Sequence, residues 1–410
     1  MHLKTVLYVD PYSGGHRPDY LKFFRGVCSD VGLSFRAFVP EDVWIASAPE
    51  PATEGHLQEA VSLDGCGVRE HLRFLGRLEN MTRDDGKTMV FFSMVDKFVL
   101  PLAIRTLCAR QFRLPWSGIY FRDSFSYLAE EVQHPFKLLK TVGRASALWV
   151  ANWRSVLPLV VHNEDWKLPL SQGVVFLPDA MTEPDRLARN TSLTASEWPV
   201  AQLPQKDSDR TRFLIYGSLA PRKGIVEFCD GLLELDDELL RRVDLHVIGL
   251  FYGPREYRQQ FLDKAEVLRK RGALVELTED YASWTRLDAE LRWCDVTVAT
   301  YINHLGQSGV LGTSVQYGRP LITQANYHLG ELTRKYELGC AVEPTNPKAV
   351  AAAIHQAITG RSRVGEKMRA YREHRSPERA QQAALAFFAA LSGRHNVVWS
   401  DLLAAPRGLL

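Results

Sequence analysis

The chain has 410 residues, of which 46% are hydrophobic and 24% charged, a composition typical of folded globular proteins and not of disordered or fibrous ones. At about 150 residues per domain, this length predicts two or three domains. Fifty basic and 48 acidic residues leave a net charge of +2, which excludes bulk charge as a means of binding nucleic acid. The six cysteines are scattered without the spacing of a zinc or redox motif, which indicates a reducing compartment.

Membrane-spanning segments are not expected. No run reaches the roughly 18 uncharged residues that a span requires. The two longest apolar stretches, 89–104 and 147–161, are interrupted by Asp96 with Lys97 and by Arg154. The apolar run near the N-terminus is also too short for a signal sequence. We therefore expect a cytoplasmic protein.

Basic and acidic residues are nearly equal in number over the whole chain, but two stretches are basic and also contain apolar residues. These stretches are 105–113 and 136–148. In the second, Lys137, Lys140 and Arg144 lie at roughly helical spacing. Such a helix face is able to rest on an anionic lipid surface, although a merely solvated face is the alternative. A peripheral contact with the inner face of a membrane is the corresponding hypothesis.

Short apolar runs with β-forming residues recur along the chain. They predict strands at 5–9, 34–39, 89–93, 118–121, 147–150 and 173–177, and after the polar segment 182–212 at 212–216, 244–248, 274–277, 295–299, 320–323 and 340–343. Their near-continuous hydrophobicity is typical of strands buried on both faces, and helical stretches separate them. The predicted fold class is α/β, with two doubly wound Rossmann-like domains that face each other across a cleft.

The domain boundaries follow from this pattern. We predict an N-terminal acceptor domain over 1–185, a linker over 186–211 and a C-terminal donor domain over 212–380. The remaining segment, 381–410, is predicted to form a helix and tail that pack back on the first domain. Because doubly wound sheets bind ligands beyond the carboxyl ends of their strands, we expect the site in the cleft.

The loop after the first strand contains Gly14, Gly15 and His16. Two adjacent glycines allow backbone amides to approach a ligand closely, and the following helix favours an anion at its N-terminus. A tight turn without a ligand is the alternative. His16 is a candidate base, a candidate partner for a sugar hydroxyl, or an ordinary loop histidine. The Gly-x-Gly-x-x-Gly pattern of dinucleotide-binding oxidoreductases is absent here.

The first strand of the second series continues into a loop with two cations. This loop contains Gly217, Ser218, Arg222 and Lys223 and ends at Gly224. A lysine at such a turn, with helix amides behind it, suits a diphosphate leaving group. We predict that Lys223 contacts the diphosphate and that Gly217, Ser218 and Arg222 line the donor. A solvated cation pair is the alternative.

A third loop precedes the helix predicted near residue 310. Its predicted donor-binding residues are Gly306, Gln307, Ser308, Gly309, Val310 and Leu311. Small residues with a hydroxyl before a helix form an N-terminus that accepts anions. Ser308 is equally explained as an N-cap, and the two roles are compatible. His304 is expected in the same cleft, or as a plain loop histidine.

Acceptor-binding candidates lie at strand ends of the first series. Tyr12, Arg122 and Asp123 are the predicted residues, because they combine aromatic and polar groups there. Other aromatic residues near these positions suit stacking on a sugar or a lipid-linked acceptor, or plain core packing. Asp207 and Asp209 have metal-ligand spacing but lie in the polar segment, away from any predicted strand end. Neither a metal nor a resident cofactor is therefore predicted.

These loops, in this order, resemble the GT-B glycosyltransferases, in particular the large retaining family 4 type (group 1) that uses nucleotide-diphosphate sugars. The resemblance spans most of the chain and is strongest over 212–357. The Gly-Gly loop of the family matches Gly14 and Gly15, and its phosphate-binding lysine matches Lys223. Its glycine-rich segment before the diphosphate-cradling helix matches 306–311.

The chain departs from the family pattern at two places. Ser218 stands where the family usually has an arginine after the first-turn glycine. The two glutamates of the family, eight positions apart, fall on His304 and Gly312, or on Leu305 and Thr313 with another anchor. Neither alignment gives a glutamate, and the second one commonly holds the ribose. The donor base is therefore not carried over, with UDP or GDP favoured.

The resemblance implies a hexosyltransferase that moves a sugar from a nucleotide-diphosphate donor to an acceptor hydroxyl, with retention and without metal. Its products would be glycans, polysaccharides or glycoconjugates, and its acceptor a glycan or a lipid-linked sugar. Lys223, Ser308 and the helix after Gly309 would stabilise the departing diphosphate.

Two other functions remain open at this point. The first is a nucleotide-sugar-binding homologue that lost turnover together with the glutamates. The second is a nucleotide-sugar epimerase on the same architecture, which needs ionisable groups gathered in the cleft. The candidates for that role are His16, Asp123, His304 and Glu331.

Overall fold

The computed structural model describes residues 3–13, 17–47, 57–82, 87–108, 112–121, 135–153, 155, 157–162, 170, 173–178, 209–280, 284–306, 308–360 and 365–393. Backbone contacts divide the chain into two compact units. The first consists of Met1–Ala180 with Pro377–Leu410, and the second of Met181–Ser376. Each unit is built around one parallel sheet.

The sheet of the first unit contains the strands β1 (Thr5–Val9), β2 (Ser34–Val39), β3 (Leu57–Ala60), β4 (Thr88–Phe92), β5 (Trp116–Tyr120), β6 (Leu159–Val161) and β7 (Val174–Phe176). The described strands follow the order β3-β2-β1-β4-β5-β6-β7, and all pairs are parallel. Every residue of β4 and β5 is buried, which explains their continuous hydrophobicity. The winding reverses between β1 and β4, so the loops after these strands border the switch point where such sheets bind ligands.

Helices cover this sheet. They are α1 (Arg17–Asp30), α2 (Glu41–Ser47), α3 (Val68–Met81), α4 (Val99–Leu107) and α5 (Pro135–Trp153). The apolar sides of these helices form two clusters with the sheet, in which Phe24 and Phe74 are nearly fully buried. None of the described helices is long and apolar enough to cross a membrane.

The sheet of the second unit contains β8 (Thr211–Tyr216), β9 (Val243–Ile248), β10 (Leu274–Thr278), β11 (Val296–Ala299), β12 (Leu321–Gln324) and β13 (Gly339–Val342). The described strands follow the order β10-β9-β8-β11-β12-β13 in parallel. The switch point lies between β8 and β11. The loops after these two strands are the ones that carry Lys223 and Ser308.

The helices of the second unit are α6 (Ile225–Leu233), α7 (Asp237–Leu240), α8 (Arg255–Lys270), α9 (Trp284–Trp293), α10 (Gly309–Gln316), α11 (Tyr327–Lys335), α12 (Pro347–Ile358) and α13 (Glu366–His374). A last helix, α14 (Pro377–Ser392), belongs to the first unit and packs against α1. There the Phe388 ring lies 5.4 Å from that of Phe91 and 6.1 Å from that of Phe24, centroid to centroid.

The predicted fold class, doubly wound α/β in both halves, is confirmed, while individual elements differ. The strand predicted at 147–150 is wrong, because these residues lie inside α5. A short apolar run does not distinguish a buried strand from a helix, and Ala147 with the neighbouring Ala145 and Ala151 favours the helix. β3 and β6 were not predicted. β3 is an edge strand with polar Gln58 and Glu59, and therefore lacks the apolar signal.

Candidate functional site

The loops after β8 and β11 meet at the switch point of the second unit. The backbone amide of Ile302 donates to the carbonyl of Arg222 over 2.8 Å, and the Thr300 hydroxyl donates to the carbonyl of Gly224 over 3.2 Å. Gly224 has φ +64°, and a Cβ there would lie 1.9 Å from the Thr300 carbonyl oxygen. Glycine is therefore required for the two loops to approach this closely.

Lys223 is held inside this pair of loops. Its Nζ donates to the Tyr301 hydroxyl over 2.7 Å and lies 3.4 Å from the Tyr216 carbonyl oxygen. The side chain is only 8% exposed. In the described part of the chain, no carboxylate oxygen lies within 4.0 Å of this ammonium group. Because a buried charge is costly unless it is compensated, the ammonium is suited to an anionic ligand.

Ser308 begins α10 and is linked to Lys223 through one side chain. Its Oγ lies 3.0 Å from the Tyr301 hydroxyl, and both residues are buried. Ser308 is the N-cap residue, but its side chain makes no capping hydrogen bond to the helix. The first turn of α10 contains no acidic residue, so nothing in that turn neutralises the positive end of the helix dipole. The arrangement therefore places an ammonium, a hydroxyl and helix amides together.

Tyr301 is the residue of this site that sequence analysis missed. It is 2% exposed, and its hydroxyl bridges Lys223 and Ser308, while Lys223 Nζ lies 4.4 Å from its ring centroid. In the sequence it reads as the apolar continuation of a buried strand. Its position directly after β11, with a hydroxyl on an otherwise apolar ring, was the available signal.

His304 lies beside Tyr301, with the two rings edge-on at 5.0 Å. Gln324, the last residue of β12, fixes its backbone on both sides. The Gln324 Oε1 accepts from the His304 amide over 3.1 Å, and the Gln324 Nε2 donates to the His304 carbonyl over 2.5 Å. The third loop is thereby anchored to a neighbouring strand of the same sheet.

The other predicted donor-binding residues differ in whether they are exposed or buried. Gly217 and Ser218 are exposed, and a Cβ built on Gly217 would lie 3.7 Å from Lys223 Nζ. Arg222 and Gly309 are exposed too, and Gly306 is half-buried. The side chains of Val310 and Leu311 pack in the core, so any contact of these residues with a ligand is through their backbone. Gln307 lies outside the described residues.

In the first unit, an ion pair closes the loop that contains the two glycines. Asp10 follows β1 and is 3% exposed, and Arg17, the first residue of α1, pairs with its carboxylate. Burial raises the pKa of Asp10 to about 6, against the lowering effect of Arg17. The ion pair joins the two ends of the loop. Gly14, Gly15 and His16 themselves lie outside the described residues.

Tyr12, a predicted acceptor residue, is buried next to this ion pair. Its hydroxyl lies 2.6 Å from His71 Nε2, and His71 Nδ1 lies 2.7 Å from the Gly67 carbonyl oxygen. Because a carbonyl only accepts, Nδ1 carries the proton and Nε2 accepts from Tyr12. The Arg17 guanidinium and the Lys97 ammonium lie 5.3 Å and 5.6 Å from the Tyr12 ring centroid.

Arg122 and Asp123, the other acceptor candidates, lie outside the described residues. Within the residues that are described, no group of three or more histidine, cysteine, aspartate or glutamate side chains is arranged to hold a metal ion.

Comparisons with known proteins bear on both units. Residues 210–360 match the family model described as Glycosyl transferases group 1. The sucrose-phosphate synthase structure from Thermosynechococcus elongatus is similar, with a TM-score of 0.64 and 13% identity, covering 95% of this chain and 98% of that one. HepE of Anabaena, in complex with UDP and glucose, gives a TM-score of 0.60 and 12% identity over 96% of this chain and 100% of that chain.

A third similar structure, from E. coli, is described as trehalose-6-phosphate bound with UDP-2-fluoro glucose. Its TM-score is 0.65 and its identity 13%, covering 95% of this chain and 99% of that chain. A comparison with curated proteins gave no match. At these identities the structures show the fold, and they confirm the predicted GT-B architecture. The matched family segment includes Lys223, Tyr301 and Ser308.

Proposed function

We propose that this GT-B glycosyltransferase, with its group 1 domain in the second unit, transfers a hexosyl group from a nucleotide-diphosphate sugar to an acceptor hydroxyl. One observation carries the proposal. Lys223 is a buried cation without a carboxylate partner among the described residues, and Tyr301 connects it to Ser308 at the start of α10. A diphosphate is a ligand that supplies the counter-charge at such a place.

The chemistry follows from where negative charge develops. As the glycosidic bond to the donor breaks, the β-phosphate gains charge, and Lys223 with the first amides of α10 stabilises it. These groups are already positioned, so little reorganisation accompanies the reaction. We propose that this positive charge suffices without an added metal ion. We also propose retention, with the departing diphosphate accepting the proton of the acceptor hydroxyl.

UDP is the first donor nucleotide to test. The HepE structures contain UDP with glucose and UDP-glucose, and the E. coli structure contains UDP-2-fluoro glucose. GDP comes second. No glutamate stands at the ribose-binding position of the family pattern, so the family resemblance does not determine the donor base. We propose that the first unit binds a glycan or lipid-linked acceptor, with Tyr12, Arg122 and Asp123 as its contacts, and that the reaction serves the synthesis of a polysaccharide or glycoconjugate.

Thermal unfolding with a panel of nucleotides tests the donor site. The protein is heated in the presence of EDTA with UDP, GDP, ADP, CMP or dTDP at increasing concentrations. A ligand that binds the folded state raises Tm as its concentration exceeds Kd. We expect one diphosphate, UDP first, to raise Tm while CMP has no effect. The absence of a shift with every nucleotide would remove the basis for the transferase assignment.

A binding protein without turnover is the second candidate, favoured by the missing glutamates. Gly312 and Thr313, which occupy the second glutamate position in the two alignments, offer no carboxylate, and the Thr313 hydroxyl donates to the Gly309 carbonyl over 2.7 Å. Release of UDP from UDP-glucose, with and without a mixture of sugar acceptors, separates the two functions. Binding without acceptor-dependent release identifies the binding protein.

A further inference from the structure

Two neighbouring helices of the first unit expose large apolar side chains. The exposed residues are Leu100 and Leu107 on α4, and Leu139, Val142, Trp149 and Trp153 on α5. We call these six residues the α4–α5 face. They are between 46% and 71% exposed, and they make up six of the 13 large apolar side chains that are exposed in the described residues. The exposed apolar surface is thus concentrated on two helices that pack against each other.

The spacing shows that this exposure forms a continuous stripe. At 3.6 residues per turn, the four residues of α5 fall within about 80° of one side of the helix, and the two residues of α4 within about 20°. Near the end of α5, the Trp149 and Trp153 rings stack at 5.7 Å with an angle of 19° between their planes. The opposite side of α5 buries Thr141, Leu148 and Ala151. The helix therefore has apolar side chains on its solvent side as well as on its core side.

The two chain segments that contain this face are basic, although Arg105 on α4 is paired with Glu79 on α3. Residues 97–122 and 135–162, which include both helices, contain nine lysine and arginine residues and no aspartate or glutamate. The rest of the chain has 41 basic against 48 acidic residues, a net charge of −7. Lys140 is exposed and lies about 100° around α5 from Leu139, between the apolar stripe and the side of the helix that packs in the core. Basic segments that also expose leucines and tryptophans are typical of helices that lie in a lipid interface.

We propose that the α4–α5 face docks on an anionic lipid surface. Leucine, valine and tryptophan side chains would enter the interface, and the basic segments would attract the lipid phosphates. A second copy of this chain fits less well, because a symmetric contact would bring two basic segments together. A nucleic acid would match the charge but not the aliphatic stripe. The proposal concerns the first unit and does not rest on the identity of the donor.

Vesicle sedimentation tests the proposal with the full chain. Vesicles of phosphatidylcholine alone are compared with vesicles that also contain phosphatidylglycerol, at low and at high salt. We expect binding to the anionic vesicles, weakened by salt because their attraction is electrostatic. The double variant Trp149→Ser/Trp153→Ser should bind them at least about tenfold more weakly, since it removes most of the inserted area. Lys140→Gln should weaken binding about fivefold on anionic vesicles only.

The control is Val267→Ser/Leu274→Ser, which removes two exposed apolar side chains of the second unit and should bind like the wild type. All variants change exposed side chains, and an unchanged Tm without vesicles shows that they are folded. Equal binding by the tryptophan variant and the wild type, or no binding of the wild type to anionic vesicles, would overturn the proposal. A dimer seen by sedimentation equilibrium and lost in the tryptophan variant would also overturn it, because the face would then join two copies.

Discussion

Substitution of Lys223 by methionine separates a ligand-binding role from a structural one. Methionine retains an unbranched side chain and removes the ammonium group, whose polar contacts are the Tyr301 hydroxyl at 2.7 Å and the Tyr216 carbonyl oxygen at 3.4 Å. After the substitution, Tyr301 keeps Ser308 as a hydrogen-bond partner. Burial of a polar group without full compensation costs about 1–3 kcal/mol, and more for a charge, so an apolar side chain of similar length removes such a cost. We expect the free energy of unfolding of Lys223→Met, without ligand, to equal or exceed the wild-type value by up to about 2 kcal/mol.

The affinity for UDP should change in the opposite direction. A hydrogen bond to a charged group contributes about 1.5–3 kcal/mol, so its loss weakens binding by about 10- to 150-fold. Urea unfolding gives the stability, and titration calorimetry gives Kd. Lys367→Met, which removes an exposed lysine paired with Glu337, is the matched control and should leave Kd unchanged. A Lys223→Met protein that is clearly less stable yet binds UDP as tightly as the wild type would refute the reasoning.

Three further substitutions test other parts of the account. Tyr301→Phe deprives the buried ammonium of its closest acceptor, and urea unfolding should show a loss of about 1–3 kcal/mol; an unchanged stability would mean that the bridge to Ser308 contributes nothing. Gly224→Ala places a Cβ 1.9 Å from the Thr300 carbonyl oxygen and should lower the free energy of unfolding by about 2–4 kcal/mol. Gly360 has a similar φ of +72°, but no atom lies within 4 Å of a Cβ built there, so Gly360→Ala should lower it by only about 1 kcal/mol. Equal losses in the two variants would contradict the close approach of the loops at Gly224. Asp10 binds its proton more tightly in the folded than in the unfolded chain, because its pKa is raised from 3.8 to about 6. Relative to Asp10→Asn, the wild type should therefore lose up to about 3 kcal/mol of stability as the pH rises from about 4 to about 6, and parallel pH profiles of the two proteins would exclude this.

Much of the fold was predictable because the strands of a doubly wound sheet are buried on both faces. Runs such as Thr5–Val9 and Thr88–Phe92 are apolar after their first residue and carry a signal that does not depend on the rest of the chain. The same signal misled at 147–150, since a helix that is apolar on two sides gives an equally continuous run. It was absent at β3, where an edge strand includes polar residues.

The candidate site was predictable only as far as chain position defines it. Lys223 and Ser308 each lie in a loop between a strand and the helix that follows it, and this placement is visible in the order of residues along the chain. The contribution of Tyr301 could not be predicted from the sequence, because its partner Lys223 is 78 positions away in the chain. Whether a lysine has a carboxylate partner likewise depends on distant residues. The burial of the Val310 and Leu311 side chains depends on the direction in which α10 presents its faces to the core.

The structure of the protein crystallised with UDP tests the central claim most directly. We expect an oxygen of the β-phosphate to lie within about 3 Å of Lys223 Nζ, with further oxygens facing the first backbone amides of α10. Tyr301 should keep its contacts with Lys223 and Ser308 in that structure. UDP bound elsewhere in the chain, with Lys223 still paired only to Tyr301, would contradict the assignment of this site to the donor diphosphate.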